Sequence, residues 1–236
     1  IFIQANNAQK AFRILQKESI DLVITMLNLA DIDPFALANK IKANYPKIPI
    51  VVLTHFSREV SLKLQKEDLS AIDYVFSWLG QADILLAIIK LIEDKMNVKH
   101  DVEIVGVQSV LLIEDSIRFY SSYLPNMYKI VFKQSLEFMT EGLNEHQRML
   151  RMRGRPKILL ATNYEDAEEL YTKYRNNLLG IISDIRYKRG GKQDPQAGIK
   201  FCKMVQENDP YMPILLQSSE PENASIAKEL NVGFLS

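Results

Sequence analysis

Residues 110–116 read Val-Leu-Leu-Ile-Glu-Asp-Ser, and residues 179–185 read Leu-Gly-Ile-Ile-Ser-Asp-Ile. Each is a short apolar run that stops at carboxylates. In a parallel α/β sheet such runs are buried strands whose C-terminal ends open into a ligand crevice. If the two strands lie side by side, Glu114, Asp115 and Asp184 meet at one point. Three carboxylates that close repel one another unless a cation joins them, and an all-oxygen donor set suits Mg²⁺. The alternative use of each acid is to cap a helix, because carboxylates are favoured at helix N-termini.

The elements that must carry these residues follow from periodicity. Apolar β-type runs alternate with amphipathic stretches of period near 3.6, the pattern of α/β architecture. In the first part, strands are expected at residues 21–26, 48–54 and 72–76, with helices at 34–43, 60–66 and 82–96. In the second part, strands are expected at 110–113, 157–161, 179–183 and 214–217, with a last one beginning near Gly233. Helices at 164–174 and 197–207 lie between them.

Bulk properties narrow the class. The chain has 236 residues, 47% of them hydrophobic, which is enough for one large domain or two ordinary ones. Lysine plus arginine number 29, as do aspartate plus glutamate, so the electrostatic case for nucleic-acid binding is absent. No apolar run approaches membrane-spanning length and no basic-then-apolar leader opens the chain. Cys202 is the single cysteine, read as a small residue on a helix face rather than a nucleophile. His55, His100 and His146 have no metal-ligand spacing. These features predict a soluble cytoplasmic protein without membrane or nucleic-acid partners.

The two parts repeat one another. Asp21-Leu-Val-Ile-Thr-Met, a helix, then Pro49-Ile-Val-Val-Leu-Thr matches Leu179-Gly-Ile-Ile-Ser-Asp, a helix, then Pro213-Ile-Leu-Leu-Gln-Ser. A repeat this long means duplicated domains, not a short-repeat solenoid. The boundary is placed near Val102, giving domains at 1–101 and 102–236. The second domain, over nearly all of residues 108–236, resembles the receiver domain of two-component response regulators. The resemblance rests on the acidic pair Glu114-Asp115 after one strand, Asp184 ending another, and Pro213-Ile-Leu-Leu-Gln-Ser as the next. It implies an α/β fold of two flavodoxin-like domains with parallel sheets, strand order 2-1-3-4-5, each truncated at one end.

Carried over by position, the resemblance implies that Asp184 is the phosphoacceptor, taking phosphate from a phosphohistidine. Asp115 and Glu114 would hold Mg²⁺ with the main-chain carbonyl of Arg186, and the Ser218 hydroxyl would bind a phosphoryl oxygen. The family's lysine at the end of the fifth strand would fall just beyond Ser236, so the chain is expected to be an excerpt of a longer protein. In the first domain the same positions hold Met26, Thr54 and Ser77. That pattern is similar to a degenerate receiver, matched from its second strand onward and lacking the first strand and helix. Residues 102–107 are β-like enough to fill that gap or to extend the second domain's entry strand.

Two segments of the second domain depart from the family. Residues 117–154 are about twice the usual length, with Pro125 at the start of a new helix or a kink, and an apolar stripe at Val131, Phe138, Leu143 and Leu150. A helix over 126–154 would serve core packing or homodimer contact. Its charged end, residues 148–155, reads as a solvated terminus. The second departure, residues 186–194, is a long, basic, glycine-containing loop beside Asp184; it would either fold over the phosphorylation site and recognise a specific donor or, on the plainer reading, be mobile.

The reading is therefore a phosphorelay receiver in a non-enzymatic, regulatory protein. Asp184 accepts phosphate from a histidine kinase or phosphotransfer protein, and the first domain acts as scaffold or dimerisation module. The alternative is a purely structural module with no phosphorylation. A haloacid dehalogenase-type phosphatase needs a carboxylate two residues after its nucleophile, where this chain has Arg186. The arrangement of a degenerate receiver before an intact one is similar to the N-terminal region of some large bacterial proteins. Those proteins end in a phosphoenolpyruvate synthase or pyruvate phosphate dikinase-like domain.

Overall fold

The computed structural model describes residues 1–55, 57–64, 66–78, 80–139 and 154–236. The chain divides into two compact units, Ile1–Ile89 and Lys90–Ser236. The division falls inside a helix, Asp83–Val98, rather than near Val102, because the C-terminal half of that helix buries Asp94 and Val98 in the second unit.

In the first unit the described elements are α1 (Ala8–Lys17), β1 (Val23–Met26), α2 (Pro34–Asn44), β2 (Ile50–His55), α3 (Arg58–Leu64), β3 (Tyr74–Trp78) and the start of α4 (Asp83–Val98). The three strands pair in parallel in the order β1-β2-β3. Val51, Val52 and Phe76 are wholly buried, as expected of parallel strands covered on both faces. Asn7 starts α1, its side chain accepting from the Lys10 N–H at 2.8 Å. Residues 1–5 carry no strand, and Ile1 and Phe2 are exposed.

The second unit continues from α4 through a π-helical turn at Lys99–Ile104. Residues 102–107 are thus not the extended filler that their composition suggested. The unit then runs β4 (Ser109–Ile113), α5 (Ile117–Met139), β5 (Lys157–Ala161), α6 (Tyr164–Tyr174), β6 (Leu178–Asp184), β7 (Tyr187–Arg189), β8 (Lys192–Asp194), α7 (Ala197–Asn208), β9 (Ile214–Gln217), α8 (Ala224–Glu229) and β10 (Gly233–Leu235). Five strands form one parallel sheet in the order β10-β9-β6-β4-β5. β4, first of the five in the chain, therefore lies between β5 and β6.

One core cluster joins the sheet to α6 and α7. Leu111, Ile113, Leu159 and Ile181 from the strands meet Tyr171, Phe201 and Val205 from the helices. The Tyr164 and Phe201 rings meet edge-on with centroids 5.7 Å apart. Pro125 lies inside α5, not at a helix start. Its missing N–H removes one backbone bond, while the helix keeps Tyr120, Leu124 and Tyr128 buried along one side. Of the stretch proposed for self-association, residues 140–153 lie outside the described residues, and so do Leu143, His146 and Leu150.

Arg155 is buried, not part of a solvated terminus. Its guanidinium donates to both Asp94 carboxylate oxygens, at 2.6 and 3.1 Å. Asp94, wholly buried, also accepts from the Tyr128 hydroxyl at 2.9 Å and the Ile158 N–H at 3.0 Å. Lys157 lies 3.7 Å from the same carboxylate and 2.6 Å from Asp101. The network ties α4, α5 and the start of β5 together through charges that water cannot screen. Truncating one partner strands the others in a dry site. Asp94→Ala is expected to lower the unfolding free energy by about 3–5 kcal/mol, read from urea denaturation. A loss below about 1 kcal/mol would mean that the network behaves like an exposed ion pair.

Candidate functional site

The C-terminal ends of β4 and β6 are neighbours, with Ile113 in register with Ser183. Glu114 and Asp115 leave the end of β4, and Asp184 ends β6. One carboxylate oxygen from each lies within 4.8 Å of the others. Glu114 is buried, and Asp115 and Asp184 are half-buried.

Each acid is held by groups that favour its charged form. Glu114 accepts from the Ser116 N–H at 3.0 Å and from the Gln217 side-chain amide at 2.9 Å. Asp184 accepts from the Ile185 N–H at 2.8 Å. These bonds do not cancel the cost of burial. Desolvation, then the nearby Asp184 and Asp115 charges, push Glu114 up to about 8. Desolvation, then the Asp115 charge, push Asp184 up to about 6. Asp115 is also raised by burial, against the Gln193 amide and the Lys188 and Arg186 charges. The Lys188 and Arg186 charges do not offset the cost of burial, and the cluster's hard oxygen donors fit Mg²⁺. Glu114, Asp115 and Asp184 each offer an oxygen that could hold such an ion; the Arg186 carbonyl is the ligand that the family resemblance adds.

The Arg186 carbonyl already accepts a hydrogen bond from the Gln193 side-chain amide at 3.0 Å. Ser218 follows the last residue of β9. Its hydroxyl oxygen accepts from the Glu220 N–H at 3.1 Å and the Asn223 amide at 2.9 Å, which leaves its O–H as a donor.

The loop read as mobile is an ordered β-ribbon, β7 paired antiparallel with β8. Gly190 and Gly191 both take positive φ, +59° and +73°, which a two-residue hairpin turn of the primed type requires. The Gly-Gly pair was the sequence signal for it. Tyr187 is wholly buried, and the Arg189 guanidinium lies 4.5 Å from the Tyr164 ring centroid.

In the first unit the corresponding positions carry no acid. Met26 is exposed at the end of β1, and Thr54, in register with Ser77, donates to the His55 carbonyl at 3.3 Å. Asp33, downstream of β1, caps α2 by accepting from the Phe35 and Ala36 N–H groups at 3.0 Å each.

Two residues that sequence reasoning passed over position the site. Gln217 lies beside Asp184 in register and holds Glu114. Gly198, at the start of α7, donates its N–H to the Ile185 carbonyl at 2.9 Å. A Cβ there would collide with the Asp184 carbonyl oxygen and lie 2.9 Å from the Ile185 Cα, so only glycine lets α7 approach the end of β6. Gly198→Ala should cost about 1–3 kcal/mol of stability by overpacking and displace Asp184. Thermal unfolding and the amide shifts of residues 184–186 would register both, and an unperturbed variant would refute this role.

Comparison with known proteins places one of the two units. No curated protein matches the chain. Among solved structures, a response regulator receiver domain protein from Clostridium thermocellum is similar at 18% identity, covering 55% of this chain and 81% of that one, with a TM-score of 0.34. GanP, a glucose-galactose binding protein from Geobacillus stearothermophilus, is 13% identical over 96% of this chain and 68% of its own, with a TM-score of 0.30. The family match lies within the first unit, away from the acidic trio: residues 2–89 match the response regulator receiver domain.

Proposed function

We propose that this chain works in two-component phosphorelay signalling, with Asp184 of the second unit as phosphoacceptor and the first unit as a receiver that is not phosphorylated. The observation that carries this reading is the convergence of Glu114, Asp115 and Asp184 within 4.8 Å where β4 and β6 end. The family match of residues 2–89 supports it from the other half of the chain.

The Asp184 carboxylate, with a pKa of about 6, is mostly ionised at neutral pH and can act as nucleophile. In the proposed reaction its oxygen attacks the phosphorus of a phosphohistidine. The P–N bond breaks, its electron pair returns to the imidazole, and an acyl phosphate forms on Asp184. The chain's part is positioning, as in other phosphoryl transfers. The Ile185 N–H fixes the Asp184 carboxylate, and the Ser218 O–H is the donor proposed for a phosphoryl oxygen. When bound, Mg²⁺ would supply the positive charge that lets an anionic nucleophile meet an anionic donor. The partner is a histidine kinase or a phosphotransfer protein. The whole protein is read as regulatory, and as cytoplasmic; among the described residues no helix is long and apolar enough to cross a membrane.

Beryllofluoride with Mg²⁺, or acetyl phosphate, should bind or modify the wild type and leave Asp184→Asn unchanged, read by intact mass and ¹⁹F NMR. Equal behaviour of the two proteins would sink the assignment.

The raised Glu114 pKa also predicts a pH dependence. In metal-free protein the native state keeps a proton on Glu114 that the unfolded chain has lost between about 4.5 and 8. The unfolded state then binds fewer protons, so stability falls as pH rises through that window. The loss is on the order of several kcal/mol. Glu114→Gln, neutral throughout, should show a shallower decline between pH 5 and 8 in urea melts with EDTA. Mg²⁺ should stabilise the wild type most at the alkaline end. Parallel pH profiles for the two proteins would contradict this.

A further inference from the structure

The ribbon β7–β8 reaches the acidic site through one side chain. The Gln193 amide nitrogen donates to the Arg186 carbonyl at 3.0 Å, and the same side chain favours the charged form of Asp115. Arg186 O and Asp115 are two of the oxygens assigned above to the cation. An ion held by them would compete with the Gln193 N–H for the Arg186 carbonyl oxygen.

The ribbon itself is fixed. The Gly190 N–H donates to Glu165 at 2.8 Å. Asp194 accepts from Lys200 at 2.7 Å and from the Gln196 N–H at 2.9 Å. Tyr187 is buried at the ribbon's base. Gln193, by contrast, is exposed. Its side chain can rotate out to water while the ribbon stays in place.

We propose that Gln193 is a positioning residue that competes with the cation. Its amide dipole stands in for positive charge in the metal-free site and swings out when the ion enters. The ribbon thereby sets the metal affinity of the second unit, and with it the concentration of Mg²⁺ at which Asp184 can accept a phosphoryl group. This rests on the metal-site reading of the preceding subsection.

The test is Mg²⁺ titration by isothermal calorimetry on the full chain, comparing wild type with Gln193→Ala and with Gln193→Leu, which keeps the length but not the amide. Asp115→Asn serves as the non-binding reference. Losing the hydrogen bond that competes with the ion should tighten Mg²⁺ binding about 5-fold in both variants. Thermal stability in EDTA should not rise. Beryllofluoride saturation should shift to lower Mg²⁺ by the same factor, a readout that a merely structural role would leave alone. If wild type binds Mg²⁺ and the variants bind it equally or more weakly, the competition is refuted and the metal site stands. If none of the proteins binds Mg²⁺ above Asp115→Asn, the site reading itself fails, and this inference fails with it.

Discussion

The second unit depends on a tension between carboxylates that share too little room. Placing β4 between β5 and β6 brings Glu114, Asp115 and Asp184 to one rim of the sheet, within 4.8 Å. Burial alone is costly for each, and their mutual repulsion adds to it. The surrounding structure lowers that cost piecemeal. Gln217 and the Ser116 N–H hold Glu114, and backbone N–H groups hold Asp184. Charge is still missing, which is why Glu114 and Asp184 rise to about 8 and 6. A site with this imbalance takes up a proton or a cation, and the proposed chemistry uses the second.

The two units resolve the same strand pattern differently. The first, matching a response regulator receiver domain over residues 2–89, ends β1 in exposed Met26, and the nearby Asp33 is spent on a helix cap. The second unit has the acids and also extra parts around them. The β7–β8 ribbon covers the loop after Asp184. The Asp94–Arg155–Lys157 network fixes the other end of the β4–β5 pair, where β5 starts. Such a buried network is more demanding than apolar packing, because every member needs its partner.

The strands were legible because a parallel strand buried on both faces is a continuous apolar run, and β5 and β9 match the expected 157–161 and 214–217. The helices at 164–174 and 197–207 were legible from their period, with α7 one residue longer. Elements whose conformation answers to distant partners were harder to read. Arg155 looked like a solvated charge, since its carboxylate partner is 61 positions away in the chain. Pro125 was open between a helix start and a kink, and the helix runs through it with Tyr120, Leu124 and Tyr128 buried. The loop at 186–194 was open between mobility and folding over the site, because the β7–β8 pairing through the Gly190-Gly191 turn is not fixed by its basic composition. Residues 102–107 were β-like in composition, yet a π-helical turn covers Lys99–Ile104.

By itself the sequence determined the α/β class, the buried parallel strands and the identity of the three acids, because hydrophobic period and strand-end chemistry are local properties of the chain. Only the tertiary structure decided that those acids meet. It also decided that Gly198 must be small, that Gln217 holds Glu114, and that Gln193 donates to the Arg186 carbonyl. Each of these depends on which strand lies beside which and how closely a helix or ribbon approaches it. Those distances are set by packing among residues far apart in the chain, and spacing along the sequence does not encode them.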